Sequence, residues 1–206
     1  MRERYTFNGK TVVLAGAGCP AGDALASGFA SAGARVVAID RNECRVLDIA
    51  ARDPERIDPL RLDILDPDQT ALFANIWQDE PLNVLIHLQP LRHINDLAKA
   101  IPSVLSWNNR LSPGLKAGQS RVVVLFQDMP DAAKPRQRAF LPALERLART
   151  LQSDFEGTGV TVNAVRLPAQ SSATITTNLL RVVTWLTGPP SPHLSGSLLG
   201  LQAQGD

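Results

Sequence analysis

The sequence predicts an α/β fold: a single Rossmann-type domain spanning residues 1–206, with a doubly wound parallel β-sheet in a three-layer α/β/α arrangement. Three observations predict it. Apolar runs of strand length alternate with segments of helical period. Several of those runs are apolar almost throughout, as in "RVVVLF" (Arg121–Phe126), which is the pattern of parallel strands covered on both faces. The stretch Val12–Asn42 reads as a strand, a glycine-rich turn, a helix, a second strand and then an acid.

Each element has its own local warrant. The strands are read, in order, over Thr11–Gly16, Ala34–Asp40, Leu60–Asp63, Asn83–Leu88, Arg121–Gln127, Thr161–Leu167 and Leu198–Ala203. One helix opens at Asp66 as N-cap, with Pro67 at its first position and Gln69 three residues after the cap. Leu72, Phe73, Ile76 and Trp77 are its expected apolar stripe. The longest helix is expected over Pro135–Glu156, where Phe140, Leu144, Leu147, Ala148, Leu151 and Phe155 share a face; Gly157 and Gly159 suit its end. A further helix, Thr176–Leu186, precedes the Pro/Ser-rich stretch 188–197. Trp77, Trp107 and Trp185 are read as packed side chains. The segment between strands four and five looks short, and no repeat or linker divides the chain.

Composition narrows the function classes. At 44% hydrophobic and 20% charged residues, the chain is that of a globular protein with a sizeable core. A formal net charge of +1 provides no field favouring nucleic acid or an anionic membrane. No apolar run approaches the roughly 18 residues of a membrane helix, and "MRERYTFNGK" is too polar for a signal peptide. Cys19 and Cys44 fit no metal spacing and no disulfide framework. The expectation is a cytoplasmic protein without metal.

Gly16, Gly18 and Gly22 lie between the first strand and the first helix. Glycines there let the backbone turn tightly and approach a pyrophosphate, which the free N–H groups of the helix start attract. Asp40, closing strand two, can accept hydrogen bonds from the adenine-ribose hydroxyls, which favours NAD over NADP. Arg41, facing a 2′-phosphate, is weighted lower. Pro20 has no N–H to donate to a phosphate, but its fixed φ suits the first helical position.

With these features in place, nearly the whole chain resembles the short-chain dehydrogenase/reductase family. "AGAGCPAG" (Ala15–Gly22) is similar to that family's T-G-x-x-x-G-x-G, with Ala15 for the threonine and Pro20 for the middle glycine. "LDILD" (Leu62–Asp66) resembles its strand-three motif, which implies that Asp63 contacts an adenine ring. "GVTVNAVRLPA" (Gly159–Ala169) resembles its strand-six segment, and Trp185–Ala203 its closing helix, turn and strand. The resemblance implies NAD(H) binding and association, as a homo-oligomer or with an active relative, through the fourth and fifth helices and the last strand.

The parts of the family pattern that carry its chemistry are missing. Where the family has N-N-A-G after strand four, this chain has His87–Leu88–Gln89–Pro90; near the family serine it has Phe126 and Gln127. Counting back from Val162–Asn163, the tyrosine and lysine positions hold Gln137 and Leu141. The only tyrosine is Tyr5 and no lysine follows Lys134, so no Tyr-x-x-x-Lys exists in any register. Positioned acid–base help contributes about 10²–10⁴ in rate, and neither glutamine nor leucine titrates. The substrate lid that follows strand six in the family has only Gln170–Thr176 in its place.

Substitutes for the tyrosine are few. Asp128, Asp131 and Lys134 follow strand five at the ligand edge of such sheets; His87 ends strand four, and His93 and His193 follow later. Asp128 and His87 are the leading alternatives, each set against an ordinary reading as a solvated loop acid or a hydrogen-bonded structural histidine. Arg136 and Arg138 stay protonated, and Cys19 has a helix N-terminus but no base. The expected protein is therefore a family-like scaffold without the usual oxidoreductase activity, acting as a non-catalytic subunit or regulator. An enzyme with an unusual acid, and a structural domain with an empty cleft, are the alternatives.

Overall fold

The structure, a computed structural model, describes residues 6–77, 80–130, 133–169, 173–188 and 194–202. Seven strands form one parallel sheet in the order β3-β2-β1-β4-β5-β6-β7: β1 (Thr11–Ala15), β2 (Arg35–Asp40), β3 (Ile57–Arg61), β4 (Val84–His87), β5 (Arg121–Gln127), β6 (Thr161–Leu167) and β7 (Leu198–Gly200). The order reverses between β1 and β4, the switch point at which ligands bind in sheets of this kind. Among the described residues, eight α-helices connect the strands: α1 (Pro20–Ser31), α2 (Glu43–Ala50), α3 (Pro67–Trp77), α4 (Gln89–Arg92), α5 (Leu97–Ala117), α6 (Pro135–Arg138), α7 (Leu141–Ser153) and α8 (Ala173–Thr187).

The near-continuous apolar strands are explained by two cores, one on each face. Val13, Ala15, Leu85, Val122, Val124 and Phe126 point towards α3, α5 and α7. Val12, Leu14, Val36, Ile86, Val123 and Leu125 point towards α1, α2 and α8. Alternation along each strand thus serves two apolar layers rather than one layer and solvent.

Several expectations are corrected. The third strand begins earlier than Leu60, at Ile57, and ends at Arg61. It contains Pro59, which reads as a strand breaker, but β3 is the edge of the sheet, where a missing N–H costs little. Asp63 consequently lies beyond the strand.

The segment Pro135–Glu156 is not one helix. Pro142 has no N–H to donate to the carbonyl of Arg138, so α6 stops and α7 restarts with that proline in its first turn. The expected stripe survives: Leu144, Leu147, Ala148, Leu151 and Phe155 are buried and Phe140 is partly so. Gly157 and Gly159, both at positive φ, follow it.

The longest helix is instead α5, with 21 residues, in the segment that looked short. Pro102 and Pro113 mask it. Both are exposed, and the carbonyls they leave unpaired, on Ala98 and Asn109, belong to exposed residues that water can reach. The opposite face buries Leu97, Ala100, Val104, Trp107, Leu111 and Leu115, a 3.6-residue stripe that outweighs the two breaks.

On α3 the stripe is rotated from the expected one. Thr70, Phe73, Ala74 and Trp77 are buried, while Leu72 and Ile76 are 64% and 72% exposed. Trp107 of α5 decides the rotation: its ring packs on Phe73 at 5.2 Å, Phe73 stacks on Trp77 at 5.4 Å, and its Nε1 donates to the Ile64 carbonyl. Trp77 and Trp107 are core residues, as expected; Trp185 is 39% exposed. Among the described residues no helix is long and apolar enough to cross a membrane.

Trp107→Ala removes the ring that joins α3 to α5 and one of the two donors to the Ile64 carbonyl, the other being the Ser103 hydroxyl. The expected loss is about 3–5 kcal/mol of stability, measured by urea denaturation, with Trp107→Phe losing less. Equal stability of Trp107→Ala and the natural protein would contradict this packing.

Candidate functional site

The site is built on the carboxyl edge of the sheet around the switch point. Gly16 leaves β1 with φ +93, and its N–H and that of Ala17 both donate to the Ile39 carbonyl of β2. Any side chain there would press on Gln89 N, 3.3 Å from an added Cβ. Gly22 is required for a different reason: a Cβ would run into the Ala17 carbonyl. Pro20 occupies the first position of α1, where it disturbs no helical bond.

Gly18 and Asp40 form a tight joint. A Cβ on Gly18 would lie 2.6 Å from the Asp40 carboxyl carbon. The Gly18 N–H donates to Asp40 Oδ2 at 3.0 Å, and the Asn42 N–H donates to Oδ1 at 3.0 Å. The Nε of Arg92, at the end of α4, reaches Oδ2 at 3.2 Å. Asp40 is only 1% exposed. The acid expected to face a ribose is thus held inward by two backbone donors and one guanidinium.

Asp63, two residues beyond the end of β3, is among the residues that line a cavity. Arg41, Asn42, Arg61, Asp63 and Gln69 line a space of 570 Å³ at the ends of β2 and β3. Asp63 Oδ1 accepts from the Leu65 N–H, and Gln69 Oε1 accepts from the Asp63 N–H. Gln69 also donates to Asp66, whose carboxylate caps α3 through the N–H groups of Asp68 and Gln69. Those hydrogen bonds hold the Asp66 carboxyl below the usual carboxylate range. Arg61 pairs with Glu43 at 3.5 Å, whereas Arg41 has no ion partner among the described residues.

The histidine candidate is sealed. His87 is fully buried; its Nδ1 lies 3.1 Å from Gln89 Oε1, and its Nε2 lies 2.7 Å from Asn108 Nδ2. Asn108 also donates to the Val104 carbonyl, so its amide nitrogen is the donor to Nε2, and the ring proton sits on Nδ1 facing Gln89. Burial pushes the imidazole down to about 4. At neutral pH it is uncharged and has no path to a substrate. Gln89 Nε2 and Asn108 Oδ1 have no partner among the described residues, an unusual pair of orphans beside one ring. His93 is also shifted down, first by burial and then by Arg92 and Arg41.

The other candidates are dispersed. Asp128 sits just past β5, its N–H donating to the Leu167 carbonyl, and pairs at 3.6 Å with Arg166, which also binds Glu145 at 3.0 Å. Gln137, in the tyrosine's expected place, donates to Asn95 and accepts from the Lys134 N–H. Leu141 packs on the core. Burial pushes the Cys19 thiol up, despite the N–H groups of Ala21 and Gly22 beside it, so it is no activated nucleophile. No cluster of possible metal ligands occurs among the described residues. Tyr5, Asp131 and His193 lie outside the described residues, as does part of Gln170–Thr176.

Sequence reasoning missed Gln89, Arg92 and Asn108. Asn108 had a signal, a polar residue on the buried face of an apolar stripe. Arg92 had another, a charge directly after an apolar strand at the ligand edge.

No family model and no curated protein matches the chain. Solved structures do. A hydroxysteroid dehydrogenase from Escherichia coli superposes with a TM-score of 0.83 at 16% identity, covering 98% of this chain and 99% of that one. RhlG from Pseudomonas aeruginosa, in an active-site complex with NADP, gives 0.80 at 17% identity over 98% of each chain. A gluconate 5-dehydrogenase from Burkholderia cenocepacia J2315, in complex with NADP and tartrate, gives 0.80 at 16% identity over 97% of this chain and 96% of that one. The fold is therefore that of the short-chain dehydrogenase/reductases.

His87 has its pKa depressed on folding, from 6.5 to about 4. A neutral buried base stabilises the fold fully above 6.5, and that contribution is lost as pH falls from 6.5 towards 4, because the unfolded chain takes up the proton first. The expected loss is about 3 kcal/mol across that window. Urea midpoints of the natural protein and His87→Gln, compared at pH 7 and pH 4.5, check it: the variant loses less on acidification. Equal losses would contradict the assignment.

Proposed function

We propose that the chain binds a nicotinamide dinucleotide along the carboxyl edge of its sheet and does not itself carry out the usual alcohol–carbonyl chemistry. The observation that carries the reading is the contrast between the two halves of that edge. On the β1–β3 side, the start of α1 beyond Pro20 and a 570 Å³ cavity with Arg41, Asp63 and Gln69 suit a phosphate and an adenosine. On the β4–β6 side, the residues are a sealed neutral His87, Gln137 bound to Asn95, and a half-buried Leu141 packed against the core.

A bound nicotinamide would supply hydride transfer; the chain would have to supply the accompanying proton. His87 has neither charge nor access. Asp128 is the surviving alternative acid, but its neighbour Arg166 is already shared with Glu145. Losing positioned proton transfer alone lowers a rate by about 10²–10⁴. The concrete role is a silent subunit or regulator, acting with a second copy or with an active relative. The exposed face of α7 carries Arg146, Arg149, Thr150 and Ser153, so an association through that helix would be polar.

The choice between NAD and NADP does not rest on Asp40 alone. An acid at that place favours NAD, yet this one is occupied, and two of the similar structures hold NADP.

Two measurements test the reading. NADH and NADPH fluorescence titrations are expected to saturate for at least one of the two, and Gly18→Ala, which drives a methyl into Asp40, is expected to weaken that binding at least tenfold. A screen of alcohols and carbonyls is expected to give rates at least about 10² below those of intact relatives. No saturation below millimolar would overturn the binding; ordinary turnover, abolished by Asp128→Ala, would overturn the silent role.

A further inference from the structure

Arg92 reaches its partner across the sheet. It ends α4, which follows β4, while Asp40 ends β2, and β1 lies between those two strands. The side chain therefore crosses the carboxyl end of β1, beside the turn that carries Gly16 and Gly18. A ligand running from the cavity at β2 and β3 towards β4 has to pass it.

The contact changes what Asp40 can offer. Oδ1 is bound by the Asn42 N–H; Oδ2 is bound by the Gly18 N–H and by Arg92. With three donors on it and 2% of its side chain exposed, the carboxylate presents almost no accessible acceptor to a ribose diol. Arg92 itself is 26% exposed, and only its Nε is engaged among the described residues. Its two terminal nitrogens remain as a planar fork, the geometry that grips a phosphate with two hydrogen bonds. Arg41 and Arg61 line the adjoining cavity.

We infer that Arg92 is a specificity-determining residue: by tying down Asp40 and presenting its own guanidinium, it selects a dinucleotide phosphorylated on the adenosine 2′-oxygen over the unphosphorylated form. The inference rests on the dinucleotide reading above. It assigns to one arginine, supplied from the β4 side, both the removal of an acceptor and the provision of a donor. A phosphate approaching Asp40 without that arginine would meet an unpaired like charge there; with it, the carboxylate is already paired. Replacing Arg92 therefore moves the two ligands in opposite directions. Asp40 becomes free to accept from a ribose diol, and the phosphate loses its fork.

The test is the dissociation constant for NADPH and for NADH, by fluorescence titration, of the natural protein, Arg92→Gln and Arg92→Lys, with thermal melts showing that each variant is folded. The natural protein is expected to prefer NADPH. In Arg92→Gln the NADPH/NADH affinity ratio is expected to fall at least tenfold, through weaker NADPH and tighter NADH binding. Arg92→Lys, which keeps the charge and loses the fork, is expected to lie between. General damage to the site would weaken both ligands together and leave the ratio in place. A natural protein that prefers NADH, or a ratio unmoved in Arg92→Gln while either ligand saturates, overturns this inference alone. Saturation by neither ligand in any of the three proteins overturns the dinucleotide reading and this inference with it.

Discussion

The buried carboxylate of Asp40 is the joint on which the ligand edge depends. It receives the glycine turn through Gly18, its own strand end through Asn42, and the β4 side through Arg92. Two elements distant in sequence and its own strand end are fixed to one side chain that is almost wholly removed from water. A buried acid is tolerated when donors surround it, and these donors include one cation. The same contact explains why Gly18 cannot carry a side chain, since a Cβ would occupy the carboxylate's place. Loop geometry, strand position and the electrostatics of the groove are thus consequences of one packing decision.

The opposite half of the edge is arranged around removal of charge rather than its placement. His87 is enclosed by Gln89 and Asn108 and kept neutral. α6 and α7 are separated at Pro142, so Gln137 and Leu141 stand on two different helices. The two cores and the sheet order depend on the apolar alternation of the strands and not on these edge residues.

The architecture was legible in the sequence because parallel strands announce themselves as apolar runs, and β5 and β6 fell where the runs fell. Breakers misled where context overrode them. Pro59 sits harmlessly at a sheet edge, and Pro102 and Pro113 sit on the wet side of α5, so a strand was misplaced and a helix overlooked. Pro142 misled in the other direction, dividing what periodicity joined. Gly16, Gly18, Gly22 and Asp40 were readable from order along the chain, and so was Asp63, although the strand before it was not. Arg92 and Asn108 were not singled out, because their partners, Asp40 and His87, are far away in sequence and meet them only through the sheet order.

The central claim is that the nucleotide half of the edge persists while the proton-carrying half does not. A crystal structure of the protein soaked with NADPH and NADH tests it most directly. The account predicts an adenosine against Arg41, Asp63 and Gln69, phosphates over the Gly16–Gly18 turn, and no titratable side chain within hydrogen-bonding reach of a carbonyl placed at the nicotinamide. An empty edge at saturating ligand, or an acid such as Asp128 swung into that reach, would contradict it.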